Sequence, residues 1–151
     1  MKLRRIRAEA FGALRECSLD GIGDGLTVVL GPNESGKSSY AALVRQVLYG
    51  FPDRRSRDHG YLPRAGARAG ALTFESADGM WSIVRSDGSK GGSVTVETVR
   101  GEPRPQLLGE IVGRVTPETF RVVFGFGLDE LDDIESGSDA DVMARLSAGA
   151  Y

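Results

Sequence analysis

Residues 26–39 read Leu-Thr-Val-Val-Leu-Gly-Pro-Asn-Glu-Ser-Gly-Lys-Ser-Ser. The first five are apolar or β-branched without a break, the pattern of a strand buried on both faces of a sheet. The run ends abruptly at Gly31. The next eight residues, Gly31-Pro32-Asn33-Glu34-Ser35-Gly36-Lys37-Ser38, fit G-x-x-x-x-G-K-[ST]. Each fixed position answers a demand of polyphosphate binding. Gly31 and Gly36 let the backbone turn tightly and present N–H groups. Lys37 brings a positive charge to the β and γ phosphates, and the Ser38 hydroxyl can ligate the Mg²⁺ that bridges them. A chance match in a chain of this length is on the order of 1%.

The residues on either side supply the context such a loop needs. From Ser38 to Tyr49 the period becomes helical: Leu43 and Val47 are four apart, as are Val44 and Leu48. A helix opening directly after the glycines aims its positive end at the anion. Gly50 is placed to end it, and Pro52 forbids continuation. Strand, glycine-bounded loop and helix make the first half of an α/β unit. Upstream, Ile6, Ala8 and Ala10 alternate with charged residues, which predicts a half-buried strand ended by Gly12. Cys17 and Leu19 mark a second, and Gly21, Gly23 and Gly25 a turn.

Downstream, residues 53–70 read as an Arg-, Gly- and Pro-rich loop. Leu72 and Phe74, then Asp78-Gly79, then Trp81 and Ile83 form a hairpin pattern. Val94, Val96 and Thr98 predict a third strand, and the three together a small antiparallel sheet. Leu107, Leu108, Ile111 and Val112 predict a short helix, and Thr116-Pro117 the capped start of another. An apolar run, Val122 to Leu128, then meets a tract of acids.

Composition narrows the class. The chain has 151 residues, 40% hydrophobic and 26% charged, which excludes a disordered tail, a coiled coil and a collagen-like chain. Its 21 glycines are about twice the average usage, so glycine placement carries meaning. The net charge of −2 hides an asymmetry. Residues 1–71 hold 12 Lys/Arg against 7 Asp/Glu, and residues 72–151 hold 7 against 14. A basic front suits an anionic partner. Asp129 to Asp141 contains seven acids and no base, the composition of a solvated surface. The single Cys17 cannot form an internal disulfide and points to a reducing compartment. No apolar run approaches the ~18 residues of a membrane span, and the start lacks a signal peptide's apolar stretch. The expected location is cytoplasmic.

A P-loop does not define the reaction. The N-K-x-D motif of GTPases is absent. The run ending in Asp129-Glu130 could act as a Walker B strand, with those acids as Mg²⁺ partner and general base. Gly125 and Gly127 are poor residues for such a strand.

The arrangement resembles the N-terminal part of an ABC-type ATPase head of the SMC/SbcC/RecF group, closest to the YhaN-like AAA family. The resemblance is carried by Ile6–Gly12 (IRAEAFG), GPNESGKSS at 31–39, LYGFP at 48–52, Gly70–Glu75 with Trp81–Arg85, and Phe120–Leu131 (FRVVFGFGLDEL). It implies an α/β P-loop NTPase lobe with a mixed sheet and a small antiparallel β subsheet. It implies a nucleotide site of Gly31, Pro32, Asn33, Glu34, Ser35, Gly36, Lys37, Ser38 and Ser39, taking ATP with Mg²⁺ on Ser38. Hydrolysis would be shared with a C-terminal lobe, carrying the signature and Walker B motifs beyond a coiled coil, and with a second head. DNA, and a nuclease subunit, would be the further partners, in DNA repair or metabolism.

The sequence departs from that pattern in two ways. FGFGLDEL lies where the Q-loop is expected, yet Gln46 and Gln106 are the only glutamines. No signature and Walker B strand follow residue 131, and Leu146–Ala150 (LSAGA) is a coincidental likeness. Residues 1–151 therefore read as one lobe of a split head. Two alternatives stay open: a nucleotide-dependent binding module without turnover, and a compact NTPase or kinase using Asp129 and Glu130. Among the remaining residues, Arg54, Arg55 and Arg57 would touch DNA phosphates or simply be solvated. Arg4, Arg5 and Arg7 would approach the nucleotide or form a solvated strand face. Asn33 would face the γ-phosphate or serve the turn. Arg85 would contact the P-loop lobe, and Trp81, Phe74 and Tyr61 would pack. His59 has no partner for a metal.

Overall fold

A computed structural model of the chain describes residues 1–53 and 60–125. The chain divides into two compact units, Met1–Ile111 and Val112–Tyr151. The first unit is built on five strands: β1 Lys2–Phe11, β2 Leu14–Leu19, β3 Ala69–Ser76, β4 Gly79–Ser86 and β5 Ser93–Thr98. They form one sheet in the order β2-β1-β3-β4-β5. Every described pairing is antiparallel. The expected mixed sheet with a separate small subsheet is therefore corrected. The hairpin β3–β4 and its neighbour β5 join β1 and β2 directly, because β1 pairs along its whole length with β3.

Register explains the core. Ile6 stands opposite Leu72, Leu72 opposite Ile83, and Ile83 opposite Val96. Period-two alternation puts these four on one face, and all are buried. Phe74 and Trp81 extend the row, stacked with centroids 4.9 Å apart. The 13-residue helix α1, Lys37–Tyr49, lies on this face through Leu43 and Val47. Its approach is close: a Cβ on Gly70 would stand 2.7 Å from Leu43 Cδ1. The predicted helix starts one residue late and is otherwise found.

The C-terminal end of α1 is held by a residue of β4. Arg85, itself buried, donates from Nε to the Val47 carbonyl at 2.7 Å and from Nη2 to the Leu48 carbonyl at 3.4 Å. Its Nη1 donates to the Gly91 carbonyl at 3.1 Å. A cation at a helix C-terminus satisfies carbonyls that lack an intrahelical partner. Burial pushes its pKa below the ordinary guanidinium range. The expected contact between Arg85 and the P-loop lobe is thus made with the helix that follows the loop.

The run Leu26–Leu30 is the largest departure. It forms no strand, and Leu26 is 94% and Leu30 88% exposed. A strand buried on both faces needs hydrogen-bonded neighbours and covering layers. No described strand pairs with this run, so the apolar residues remain in solvent.

Helix α2, Gln106–Val112, runs to the boundary between the units. In the second, α3 spans Pro117–Val123 with Thr116 as N-cap. The Thr116 Oγ1 accepts from the Thr119 amide at 3.1 Å, as the Thr-Pro signature predicts.

Candidate phosphate-binding site

The loop from Gly31 to Gly36 leads into α1. Gly36 is the N-cap, at φ 92° and ψ 12°, and no side chain caps the helix. Two constraints make this position a glycine. Left-handed backbone is costly for residues with a Cβ. A Cβ here would also stand 2.6 Å from Leu14 Cδ2. Leu14, buried at the start of β2, is the floor under the loop. Gly31 is tight for another reason: its Cβ would meet Ser35 Oγ at 2.7 Å. The turn is closed by the Ser35 amide donating to the Pro32 carbonyl at 3.3 Å. Glu34 is also left-handed, at φ 63°.

Lys37, the first helical residue, folds back over the loop. Its ammonium donates to the carbonyls of Gly31 and Pro32 at 2.8 and 2.6 Å. Those carbonyls hold the charge at the mouth of the loop. Pro32, Asn33, Glu34, Ser35 and Ser38 are exposed, whereas Ser39, in the first turn of α1, is buried. The Ser38 hydroxyl is thus available to a cation and the Ser39 hydroxyl serves packing. The donor set fits a magnesium polyphosphate: Mg²⁺ usually takes few protein ligands and completes its shell with phosphate and water oxygens. Among the described residues no cluster of three His, Cys, Asp or Glu competes for that role.

Tyr40, one turn into α1, donates its hydroxyl to Cys17 Sγ of β2 at 3.3 Å. Burial first, and then the Cys17 bond, push its phenol up to about 12. This contact ties the first turn of α1 to the sheet; an isolated cysteine and tyrosine give no sequence signal for it.

The arginines of β1 are engaged elsewhere. Arg4 bonds Glu75 at 2.5 Å and Asp24 at 2.6 Å, and Arg5 bonds Asp20. Arg7 stands 3.8 Å from Glu9 and 4.0 Å from Glu16. Lys2 bonds Asp24 at 2.6 Å. The pairs to Asp20 and Asp24 fasten the 20–25 turn to the strand, and all three arginines of β1 lie in ion pairs on its surface. Tyr61 stacks on Phe11 with centroids 5.2 Å apart, and its carbonyl accepts from the Gly12 amide at 2.7 Å. Phe74, Trp81 and Tyr61 are packing residues, as expected. Arg54, Arg55, Arg57, His59, Asp129 and Glu130 lie outside the described residues, as does the FGFGLDEL stretch beyond Gly125.

A family model described as AAA domain matches residues 1–145. No curated protein matches. Eighteen chains of solved structures do. Among them is the SMC head domain from Thermotoga maritima, at 24% identity and a TM-score of 0.49. That match covers 77% of this chain and 43% of the other, so the chain spans less than half the length of that head domain.

Proposed function

We propose a function from one premise: this chain belongs to the AAA-domain family. Membership supports an ATP-binding, ATPase-type function. The finer reading is a Mg-ATP site formed by Gly31 to Ser39, in the N-terminal lobe of an SMC-like, YhaN-like head. The observation that carries it is Gly36, left-handed above Leu14 and immediately before an uncapped helix whose first residues are Lys37 and Ser38.

Each residue then has a task. The open amides at the start of α1 receive phosphate oxygens. Lys37 exchanges its two carbonyl acceptors for β- and γ-phosphate oxygens, a stronger, charge-assisted pair of bonds. Ser38 holds Mg²⁺, which would neutralise charge developing on the phosphates during transfer. Hydrolysis is assigned to the assembled protein: a C-terminal lobe supplies the Walker B acids, and a second head closes over the nucleotide. DNA is a proposed partner, with a nuclease subunit as a further one and the cytoplasm as the location.

The test is nucleotide binding by the full 151-residue chain, followed by fluorescence of a labelled ATP. Lys37→Ala is expected to weaken binding by about 100-fold, the loss of two charge-assisted bonds. Ser38→Ala is expected to remove most of the Mg²⁺ dependence. Unchanged affinity in Lys37→Ala overturns the assignment. Steady turnover by the isolated chain that Glu130→Gln abolishes would instead favour the compact NTPase.

A further inference from the structure

The residues that follow α1, Pro52 and Asp53, line a concavity beyond the end of the helix remote from the P-loop. Helix α1 has 13 residues, so the two ends are about 20 Å apart. The cavity measures about 560 Å³ and is lined by Asp53, Arg68, Asp87, Gly88, Lys90 and Gly91, among others. The wall is tied down: the Gly91 carbonyl accepts from the Phe51 amide at 2.9 Å and from Arg85 at 3.1 Å.

Arg68 is the central group. It sits in a segment that composition alone reads as loop, yet it is only 1% exposed. Nη2 donates to the Pro52 carbonyl at 2.8 Å and to Asp87 Oδ1 at 2.9 Å. Its guanidinium carbon lies 5.1 Å from the centroid of the Phe51 ring. Nε and Nη1 are buried and have no hydrogen-bond partner. Idle donors on a buried cation are unfavourable and call for an acceptor.

The rest of the wall is also rich in donors. Lys90 is exposed and carries three N–H bonds on a mobile stem. It sits left-handed at φ 53° in the Ser89–Gly91 turn, followed by Gly91 and Gly92 at φ 89°. The Gly92 amide is engaged within the turn by the Ser89 carbonyl at 3.2 Å, so the donor this turn brings to the wall is the Lys90 ammonium. In formal charge the lining is even, Arg68 and Lys90 against Asp53 and Asp87, so the case rests on the unpaired Arg68 donors and not on net charge. Asp87 Oδ1 is already engaged by Arg68 and by the Gly88 amide at 3.2 Å, and Asp53 has interactions of its own.

We infer that this cavity is a second anion site, which takes a phosphate-type oxyanion on Arg68 and Lys90. It is independent of the nucleotide reading. Two sources share the chemistry, free phosphate and a phosphate monoester.

The experiment uses the full chain carrying Lys37→Ala, so that the P-loop lysine contributes nothing. Inorganic phosphate is titrated at constant ionic strength, with the amide resonances of Gly88 to Gly92 as the readout. A second arm titrates a simple sugar phosphate, and the tighter ligand identifies the source. Saturable shifts in this turn are expected in at least one arm. Lys90→Ala, a change at an exposed side chain, is expected to weaken them at least about fivefold. Arg68→Lys is expected to do the same in a chain whose amide spectrum shows it folded. No saturable shift in either arm, or shifts indifferent to Lys90→Ala, would overturn the inference.

Discussion

At the scale of the residue, Gly36 carries the most information. Its φ of 92° and the 2.6 Å between a hypothetical Cβ and Leu14 act together. Gly36→Ala must therefore strain the backbone and displace Leu14. The expected cost is about 1–3 kcal/mol. Gly23→Ala is the control, because a Cβ there meets nothing within 4 Å and its φ lies outside the left-handed range. It is expected to change stability by less than ~1 kcal/mol, in the stabilising direction. Chemical denaturation of both variants checks the contrast, and equal effects would refute the argument. The glycine pattern was legible from sequence because the phosphate motif fixes it. The reason Leu14 matters was not, since no local pattern couples positions 14 and 36.

At the scale of the element, each secondary structure with its own signature was readable. The helix after the loop, the Asp78-Gly79 hairpin and the Thr116-Pro117 cap are local events decided by residues within one turn. Joining them was not local. The pairing of β1 with β3 joins residues from 59 (Ala10 with Ala69) to 73 (Lys2 with Glu75) positions apart, and nothing in either strand names its neighbour. The ties between β1 and the 20–25 turn, 15 to 22 residues apart in sequence, are also non-local, and they set a pH response. Asp24 is held below its ordinary 3.8 by hydrogen bonds from Lys2 and then Arg4. Asp20 is held low by Arg5 and then Ser18. A carboxylate depressed in the folded state contributes stability above its unfolded pKa, and the contribution disappears as pH falls through the folded value. Both groups are solvent-exposed, so the effect is small and salt-sensitive. Carboxyl carbon resonances of Asp20 and Asp24 are expected to titrate below 3.8 in 50 mM salt. In 1 M salt the midpoints should move towards 3.8. Midpoints at or above 3.8 at low salt would refute the pairing.

At the scale of the whole molecule, the Gly31–Gly36 loop sits between two very different supports. On its C-terminal side α1 is packed on the sheet and clamped by Arg85. On its N-terminal side Leu26–Leu30 has the composition of a central strand and the exposure of a surface loop. Sequence reports what environment a segment is suited to; whether a partner is present is a property of the assembly. The same gap explains why Arg68 escaped notice: an arginine in a glycine-rich stretch reads as solvated until Phe51 and Asp87 are seen to enclose it. An exposed, uncharged β-prone run also has a physical consequence, since its unpaired backbone is a template for another strand. The isolated chain is therefore expected to self-associate through residues 26–30 as concentration rises. The double variant Val28→Lys, Leu30→Lys places two charges on this run without removing a described core contact. Its unfolding free energy should stay within ~0.5 kcal/mol of the parent's, the range usual for surface changes. Its light-scattering mass should remain monomeric at concentrations where the parent's rises. A stability loss of about 2 kcal/mol or more, the scale of a buried apolar residue, would show that the run is packed in solution.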